Sequence, residues 1–457
     1  MRETVTVVGG GLAGSEAAWQ LAKRGLFVRL YEMRPDKKTP AHSTEKLAEL
    51  VCSNSLGADV PFAPAGILKE ELRVLGSLIM ECAELARIPA GKALAVDRED
   101  FSRLVTERVC RCRNIELYRE EVRSIPDGPV IIATGPLMEG ELAEHLRRSI
   151  GVDYLHFFDA VSPVVTFESI DMNRAYYGNR REEGRDYINC PLDEAGYVSF
   201  VKELVTAKRA VRHAFDVQGI GDETARTRYF EGCLPVEVLA ARGMDTLRFG
   251  PMRPVGLPDP RTEREPWAVL QLRRDNKEGT LFNLVGFQTS LAWSEQERVF
   301  RMIPALAEAE FVRKGVMHRN TFVCAPKVLD RYMRPVSGSA LLRPDLFFAG
   351  QITGVEGYME STASGIVAAL NLHAFVLGRE MIVWPDATAI GSLLRYLREA
   401  EAKSFQPMNV NLGIFPKISA GKRTKGEKKP TKQERTRLYA ARSQEAMRSF
   451  VRNMYDM

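Results

Sequence analysis

The chain has little of what would send it out of a cell or into a bilayer. No apolar run in its 457 residues reaches the roughly 20 needed to span a membrane. Met1 leads almost directly into "TVTVVGGG", without the charged stretch and cleavage site of a secretory leader. Cysteine is scarce as well: seven, an odd number and scattered, which argues against a secreted disulfide framework. The compartment these absences predict is the cytoplasm. Cys110 and Cys112 form a C-x-C with no second pair to complete a zinc site, so they are read as structural and no metal is expected. His42, His145, His156, His213 and His373 belong to no motif and are read as surface or packing residues. Trp19, Trp267 and Trp384 are read as core anchors. No internal repeat occurs, and low complexity is confined to the lysine-rich 422–432.

What the chain does have is an uneven charge. Residues 417–452 hold 12 Lys or Arg against 3 Asp or Glu, a net of +9, while the remainder carries −4. Such a run is either a solvated helix and tail or a polyanion-binding element, and net charge alone does not choose between them.

The amino-terminal pattern is more specific. "TVTVV" (4–8) reads as a buried strand, "GGGLAGSEAAWQLAKRG" as a tight turn into a helix stopped at Gly25, and "LFVRLYE" as a second strand ending at Glu32. Gly9, Gly11 and Gly14 make the G-x-G-x-x-G of a dinucleotide site, with Gly10, Leu12 and Ala13 between them. The first two glycines allow a turn and close approach of a pyrophosphate, and Gly14 lets the helix lie on the strand. The helix N-terminus faces the phosphates, and Glu32 is placed to accept from a ribose hydroxyl. Two later stretches extend the pattern. "PVIIATGP" (129–136) is a short strand ending at Gly135, and "LFFAGQITGVEGYMESTASGIVAALNL" (346–372) is a strand, a glycine-rich loop and a helix of small residues. Gly350, Gln351, Glu356 and Gly357 sit in that loop, and the second helix N-terminus suits the electron-rich side of a reduced flavin. The arrangement resembles FAD-binding flavoproteins. Expected is an α/β chain with a Rossmann-like FAD-binding domain in two parts (1–160 and 316–457) around an inserted mixed α/β, substrate-facing domain (161–315).

Two cysteines stand out for their surroundings. Cys52 lies in "LVCSNSLGAD" and Cys233 in "RYFEGCLPVE", polar or glycine-flanked loops where a thiol kept only for packing is unexpected. These segments, with "LVGFQTSLAWSEQERVFRMIP", "VMHRNTFV" and "PMNVNLGIFP", closely resemble the folate- and FAD-dependent tRNA uracil-5-methyltransferase family along essentially the whole chain. "LFFAGQITGVEGYMESTASG" also resembles the related flavoproteins that modify wobble uridines of tRNA. The resemblance implies an enzyme that makes 5-methyluridine in the tRNA T-loop, conventionally position 54. Its carbon would come from 5,10-methylenetetrahydrofolate, with reducing equivalents from FAD and NAD(P)H. The resemblance further implies that Cys52 and Cys233 are the catalytic pair and that His318, with Asn409, meets the folate. A ribosomal RNA uridine or a wobble uridine is the alternative target.

The chemistry calls for two such groups. Uracil C5 becomes nucleophilic once a thiolate adds to C6, and the C5 hydrogen must afterwards leave as a proton. A cysteine with a lowered pKa can play either part, and a nearby arginine such as Arg228 could lower it. Tyr176 and Tyr177, beside Arg174, Arg180 and Arg181, are either an RNA-stacking group or a plain tyrosine loop. Two other classes remain open at this level. A small-molecule FAD oxidoreductase would leave the tail and loop cysteines idle, and an RNA-binding scaffold would keep FAD as a relic.

Overall fold

The computed structural model describes residues 3–39, 41–151, 154–180, 182–210, 234–336, 343–418 and 431–455. Cys233, Arg228, Arg181, His213 and the lysines of 422–429 lie outside the described residues.

Five parallel strands form the first sheet, in the order Leu346–Phe348, Val130–Ile132, Thr4–Val8, Phe27–Tyr31 and Ile115–Tyr118. The central strand, "TVTVV", is buried over its last four residues, as β-branched side chains covered on both faces should be. Helices Leu12–Lys23 and Tyr358–Val376 pack on each other beside this sheet. Their closeness has a cause in single atoms. A Cβ on Gly14 would stand 1.8 Å from the carbonyl oxygen of Gly9, and one on Gly365 would stand 2.3 Å from that of Ala13. Only glycine fits either position. Chain ends from residues 4 and 346 thus meet in one sheet, with everything between 160 and 316 left to form a second unit.

That second unit holds a six-stranded antiparallel sheet, ordered Tyr176–Tyr177, Tyr187–Leu192, Ala268–Arg274, Leu281–Leu284, Val164–Thr166 and Phe311–Arg313. It has its own core, from Val165 to Ala309, built around Phe200, Phe282, Phe287 and Phe300. A two-stranded ribbon, Leu155–Ala160 against Met317–Phe322, forms the neck through which the chain leaves and returns. A small sheet of Ser55–Ala58, Ala93–Val96 and Arg87–Ile88 reaches from the first unit toward the second.

The carboxy-terminal helix, Lys432–Tyr455, is docked rather than free. Tyr439, Ala440, Ser443 and Met447 are buried at helical spacing, and Arg442 donates to the Pro416 carbonyl at 2.7 Å. Its anchor is Glu71, which accepts from the Ser443 hydroxyl and from the backbone N–H groups of Ala389 (2.6 Å) and Ile390 (3.0 Å). Burial pushes the Glu71 carboxyl up to about 7 against the pull of those donors. A folded-state value raised above the unfolded one gives stability that is complete below about 4.5 and lost as pH rises through 7. Full ionisation therefore costs about 3 kcal/mol. Glu71→Gln is expected to flatten the fall of melting temperature between pH 5 and 8, measured by thermal unfolding at each pH. An unchanged slope would remove Glu71 as its source.

Candidate active site

The turn after the first strand and the first turn of helix Leu12–Lys23 open onto a cleft of about 1380 Å³, counting its solvent-open mouth. Gly9, Gly10, Gly11, Leu12, Ala13, Glu32, Gly135, Gly350 and Gln351 all line it. Gly9 (φ 105°) turns the chain, and a Cβ there would stand 2.4 Å from the Ala133 carbonyl oxygen. A Cβ on Gly11 would meet nothing within 4 Å. The backbone is bare where a phosphate must come close, and the first-turn N–H groups have no intrahelical acceptor. The opposite wall carries Tyr358 and Ser361, from the N-terminal turn of the second glycine-rich helix. This donor set fits a dinucleotide.

Several of the expected site residues also hold parts of the protein itself. Glu32 lines the cleft, yet its carboxylate already accepts from the Gly10 N–H at 2.9 Å and from Arg34 at 2.8 and 3.1 Å. Burial pushes this carboxyl up, but the Arg34 hydrogen bonds and charge outweigh it and hold Glu32 below the usual range. Gly14 does what the motif predicts and lets the helix lie close on the turn, as its glycine-only contact requires. Glu356 and Gly357, expected to bind the cofactor, are not among the residues that line the cleft. Glu356 accepts from the Gln351 side chain at 3.1 Å, and Gly357 (φ 112°) precedes the helix where a Cβ would strike the Glu360 carboxylate. His42, read from sequence as a surface or packing residue, lines the cleft with Lys37, Lys38 and Thr39. No motif marks that stretch, so only the fold could reveal it.

Cys52 is half-buried where the cleft meets the second unit. Its backbone N–H and that of Ser53 both donate to the Tyr358 hydroxyl, at 2.9 and 3.1 Å. Arg98 donates to the carbonyls of Leu50 (2.6 Å) and Cys52 (3.2 Å). From the antiparallel sheet, Arg273 donates to the Ser53 hydroxyl at 2.7 Å and the Asn54 side chain at 3.1 Å. The Cys52 thiol itself donates to the Ala160 carbonyl oxygen at 3.9 Å, at the top of the neck. Sequence reasoning missed Tyr358, Arg98 and Arg273. The first had a signal, standing at the start of a helix whose N-terminus was already assigned to the cofactor.

The described chain resumes at Leu234, directly after Cys233. Val236 donates to the Gln288 carbonyl at 2.7 Å, and the next residue, Thr289, donates to Val161, the neighbour of Ala160, at 3.4 Å. Buried Glu237 locks the same turn, accepting from Thr289, at 2.9 Å, and from the backbone of Ser290, at 2.8 Å. His318 lies on the returning neck strand opposite Asp159. Asn409 is exposed in a segment that runs beside the glycine loop, where Met408 pairs with Val355. Tyr176 and Arg180 are not an RNA-stacking pair. Tyr176 is buried with its hydroxyl on the Leu257 carbonyl (2.8 Å), and Arg180 donates to the carbonyls of Arg253 (2.7 Å) and Val255 (3.0 Å). Among the described residues no group of three His, Cys, Asp or Glu could hold a metal ion, and no helix is long and apolar enough to cross a membrane.

A parallel Rossmann-like sheet, a glycine turn at its C-terminal edge and an inserted antiparallel sheet define a two-unit α/β protein with a dinucleotide-binding type of fold. Comparison with known proteins narrows this. Residues 4–380 match the family model "Glucose inhibited division protein A". The chain is 54% identical over 451 residues to "Methylenetetrahydrofolate--tRNA-(uracil-5-)-methyltransferase TrmFO" of Moorella thermoacetica, covering 98% of each. The Acetivibrio thermocellus protein of the same name is 54% identical over 418 residues, 91% of this chain and 92% of that one. Among solved structures, Aquifex aeolicus GidA in its form II crystal superposes with a TM-score of 0.67 at 15% identity, over 98% of this chain and 73% of that one. The chain belongs to the TrmFO family, within the wider GidA-related group.

Proposed function

We propose that this chain methylates C5 of a uridine in tRNA, at position 54 of the T-loop, using 5,10-methylenetetrahydrofolate as the carbon source. The observation that carries this reading is the position of Cys52. Its loop joins the dinucleotide cleft, through Tyr358, to the inserted sheet, through Arg273. A thiol there can serve a substrate lying between the cleft and the insertion. The names of the TrmFO relatives supply the reaction, and the glycine cradle supports FAD as the bound dinucleotide. FAD, when bound, would supply the two reducing equivalents that turn the transferred methylene into a methyl group, with NAD(P)H as the outside reductant.

The chain's own work is on the uracil. We assign Cys233 as the thiolate that adds to C6, so that electron density moves to C5 and C5 attacks the one-carbon unit. Cys52 is the base that takes the C5 proton, after which the C6–S bond breaks and the Cys233 thiolate is released. The hydrogen bonds of Val236 and Thr289 bring the chain that follows Cys233 to residue 161, one residue from the carbonyl that Cys52 faces. That convergence supports two thiols serving one ring. We assign the folate to His318, on the returning neck strand, and to Asn409, beside the glycine loop, on the family resemblance of their segments.

The test is direct. Incubation with isotopically labelled methylenetetrahydrofolate, NAD(P)H and unmodified tRNA should place label in 5-methyluridine at a single T-loop position. Methyl transfer from S-adenosylmethionine alone, or label in ribosomal RNA only, would overturn it.

The basic carboxy-terminal region supports RNA as the partner in part. Its helix uses one face for docking, leaving Arg435, Arg448 and Arg452 exposed. Reversing the charge of four lysines in 422–432 is expected to weaken tRNA binding. The slope of log affinity against log salt should flatten by up to about 0.9 for each phosphate that is no longer neutralised. Reduction by NAD(P)H should not change. An unaltered slope would assign the region to solubility.

A further inference from the structure

Three guanidinium groups gather behind the Cys52 loop with too little negative charge to balance them. Arg98 pairs with Asp275 at 3.2 Å, and Arg313 lies 3.9 Å from the same carboxylate. Arg273, only 7% exposed, has no carboxylate within salt-bridge distance among the described residues; its bonds go to the neutral side chains of Ser53 and Asn54. Three cations thus share one acid. The other carboxylate acting on Arg313 is Glu49, which Arg34 already holds at 3.0 Å. Two phenols face the cluster. Tyr358 is buried, which pushes its hydroxyl up and keeps it neutral, and Tyr187 donates to the Ala90 carbonyl at 2.9 Å.

A buried guanidinium without a counter-charge is expensive, and burial pushes that of Arg273 down from its ordinary value. A second sign of missing acceptors stands beside it. Asn283 is directly opposite Arg273 on the neighbouring strand, and its buried Nδ2 has no hydrogen-bond partner among the described residues. This corner of the molecule is rich in donors and short of negative charge. The titratable side chain in the loop that Arg273 grips is Cys52.

We propose that Arg273 is a positioning residue that holds Cys52 as a thiolate: the sulfur gives up its hydrogen bond to the Ala160 carbonyl, the proton goes to solvent, and the sulfur supplies the negative charge the arginine cluster lacks. The inserted sheet then does more than receive RNA. It charges a thiol on the other unit, across the seam, so that Cys52 is a competent base only while the two units are docked. Arg98 fixes the loop from the opposite side through the Cys52 carbonyl and, tied to Asp275, contributes less net charge.

The inference rests on Cys52 being one of the reactive thiols, but its test needs neither RNA nor folate and so can fail separately. Full-length protein is alkylated with iodoacetamide from pH 5.5 to 9.5, and the Cys52 peptide is quantified by mass spectrometry. A free thiol titrates near 8.5. Wild-type Cys52 is expected to show a midpoint at least one unit lower, which is about tenfold more thiolate at pH 7. Arg273→Met should return the midpoint toward 8.5, while Arg273→Lys, which keeps the charge and loses the fork, should restore most of the shift. A wild-type midpoint at or above 8.5 overturns the proposal whether or not the variants fold. So does a folded Arg273→Met protein, judged by near-ultraviolet circular dichroism, with the wild-type midpoint.

Discussion

Gly11→Val is expected to give a folded and colourless protein. The backbone at Gly11 has φ −72° and ψ −167°, which valine adopts without strain, and its Cβ would point into open space. The substitution therefore leaves the fold alone and fills open space beside the first-turn N–H groups, where a pyrophosphate would lie. Losing two such charge-assisted hydrogen bonds, each worth about 1.5–3 kcal/mol, weakens a dinucleotide by a hundredfold or more. Gly14→Ala, three residues on, should behave differently. Its Cβ would collide with the Gly9 carbonyl oxygen at 1.8 Å, so the helix must lift from the turn and the protein should melt early or fail to fold. Flavin content per folded molecule, from the visible absorbance of the purified proteins, separates the two. A Gly11→Val protein that kept stoichiometric flavin would detach this turn from the cofactor.

The other large effect concerns the two thiols. With RNA carrying 5-fluorouridine, whose fluorine cannot leave C5 as a cation, the thiolate that adds to C6 remains covalently attached. Cys233→Ala is expected to form no such adduct and to lose methylation altogether. Cys52→Ala is expected to form the adduct still, while methylation of normal tRNA falls by about 10²–10⁴, the usual worth of a positioned base. The adduct is read as an RNA-dependent shift on a denaturing gel, and turnover as label in 5-methyluridine. Full turnover by Cys233→Ala would transfer the nucleophile's part to Cys52. The surroundings of Cys52 favour its role as the base. A thiol clamped through its backbone by Tyr358 and Arg98 sits at a fixed place beside the cleft, suited to taking a proton from a ring held by another group.

Much of the fold was legible because its signals are local. Strand, glycine turn, helix and second strand occupy residues 4–31, and each is encoded by its own β-branched run, glycine or small-residue face. Residues 130–132 and 346–348 were likewise recognisable as strands, since short apolar runs bounded by glycine need no distant partner to be read. The two loop cysteines were visible through their polar neighbours. Local pattern reached less far with charge. The run at the C-terminus looked like a tail, yet its helix is pinned by Glu71, 372 residues earlier in the chain. The tyrosine–arginine stretch around 174–181 was open between RNA stacking and a plain loop, and two of its members, Tyr176 and Arg180, prove to be tied to the backbone of residues 253–257.

The sequence by itself determined that this chain builds a Rossmann-like sheet with a glycine turn, interrupts that domain with a second unit, and sets two cysteines among polar or glycine neighbours in the sequence. Only the tertiary structure decided what surrounds Cys52. Arg98, Arg273 and Tyr358 are 46, 221 and 306 residues away from it, on a helix, an inserted strand and a second helix. No periodicity or motif links such positions. Their meeting depends on the neck returning the chain at residue 316 and on glycines 14 and 365 letting two helices touch, which sets the register of everything packed against them. The charge felt by a thiol is a sum over neighbours in space, and falls off with distance through the fold rather than along the chain.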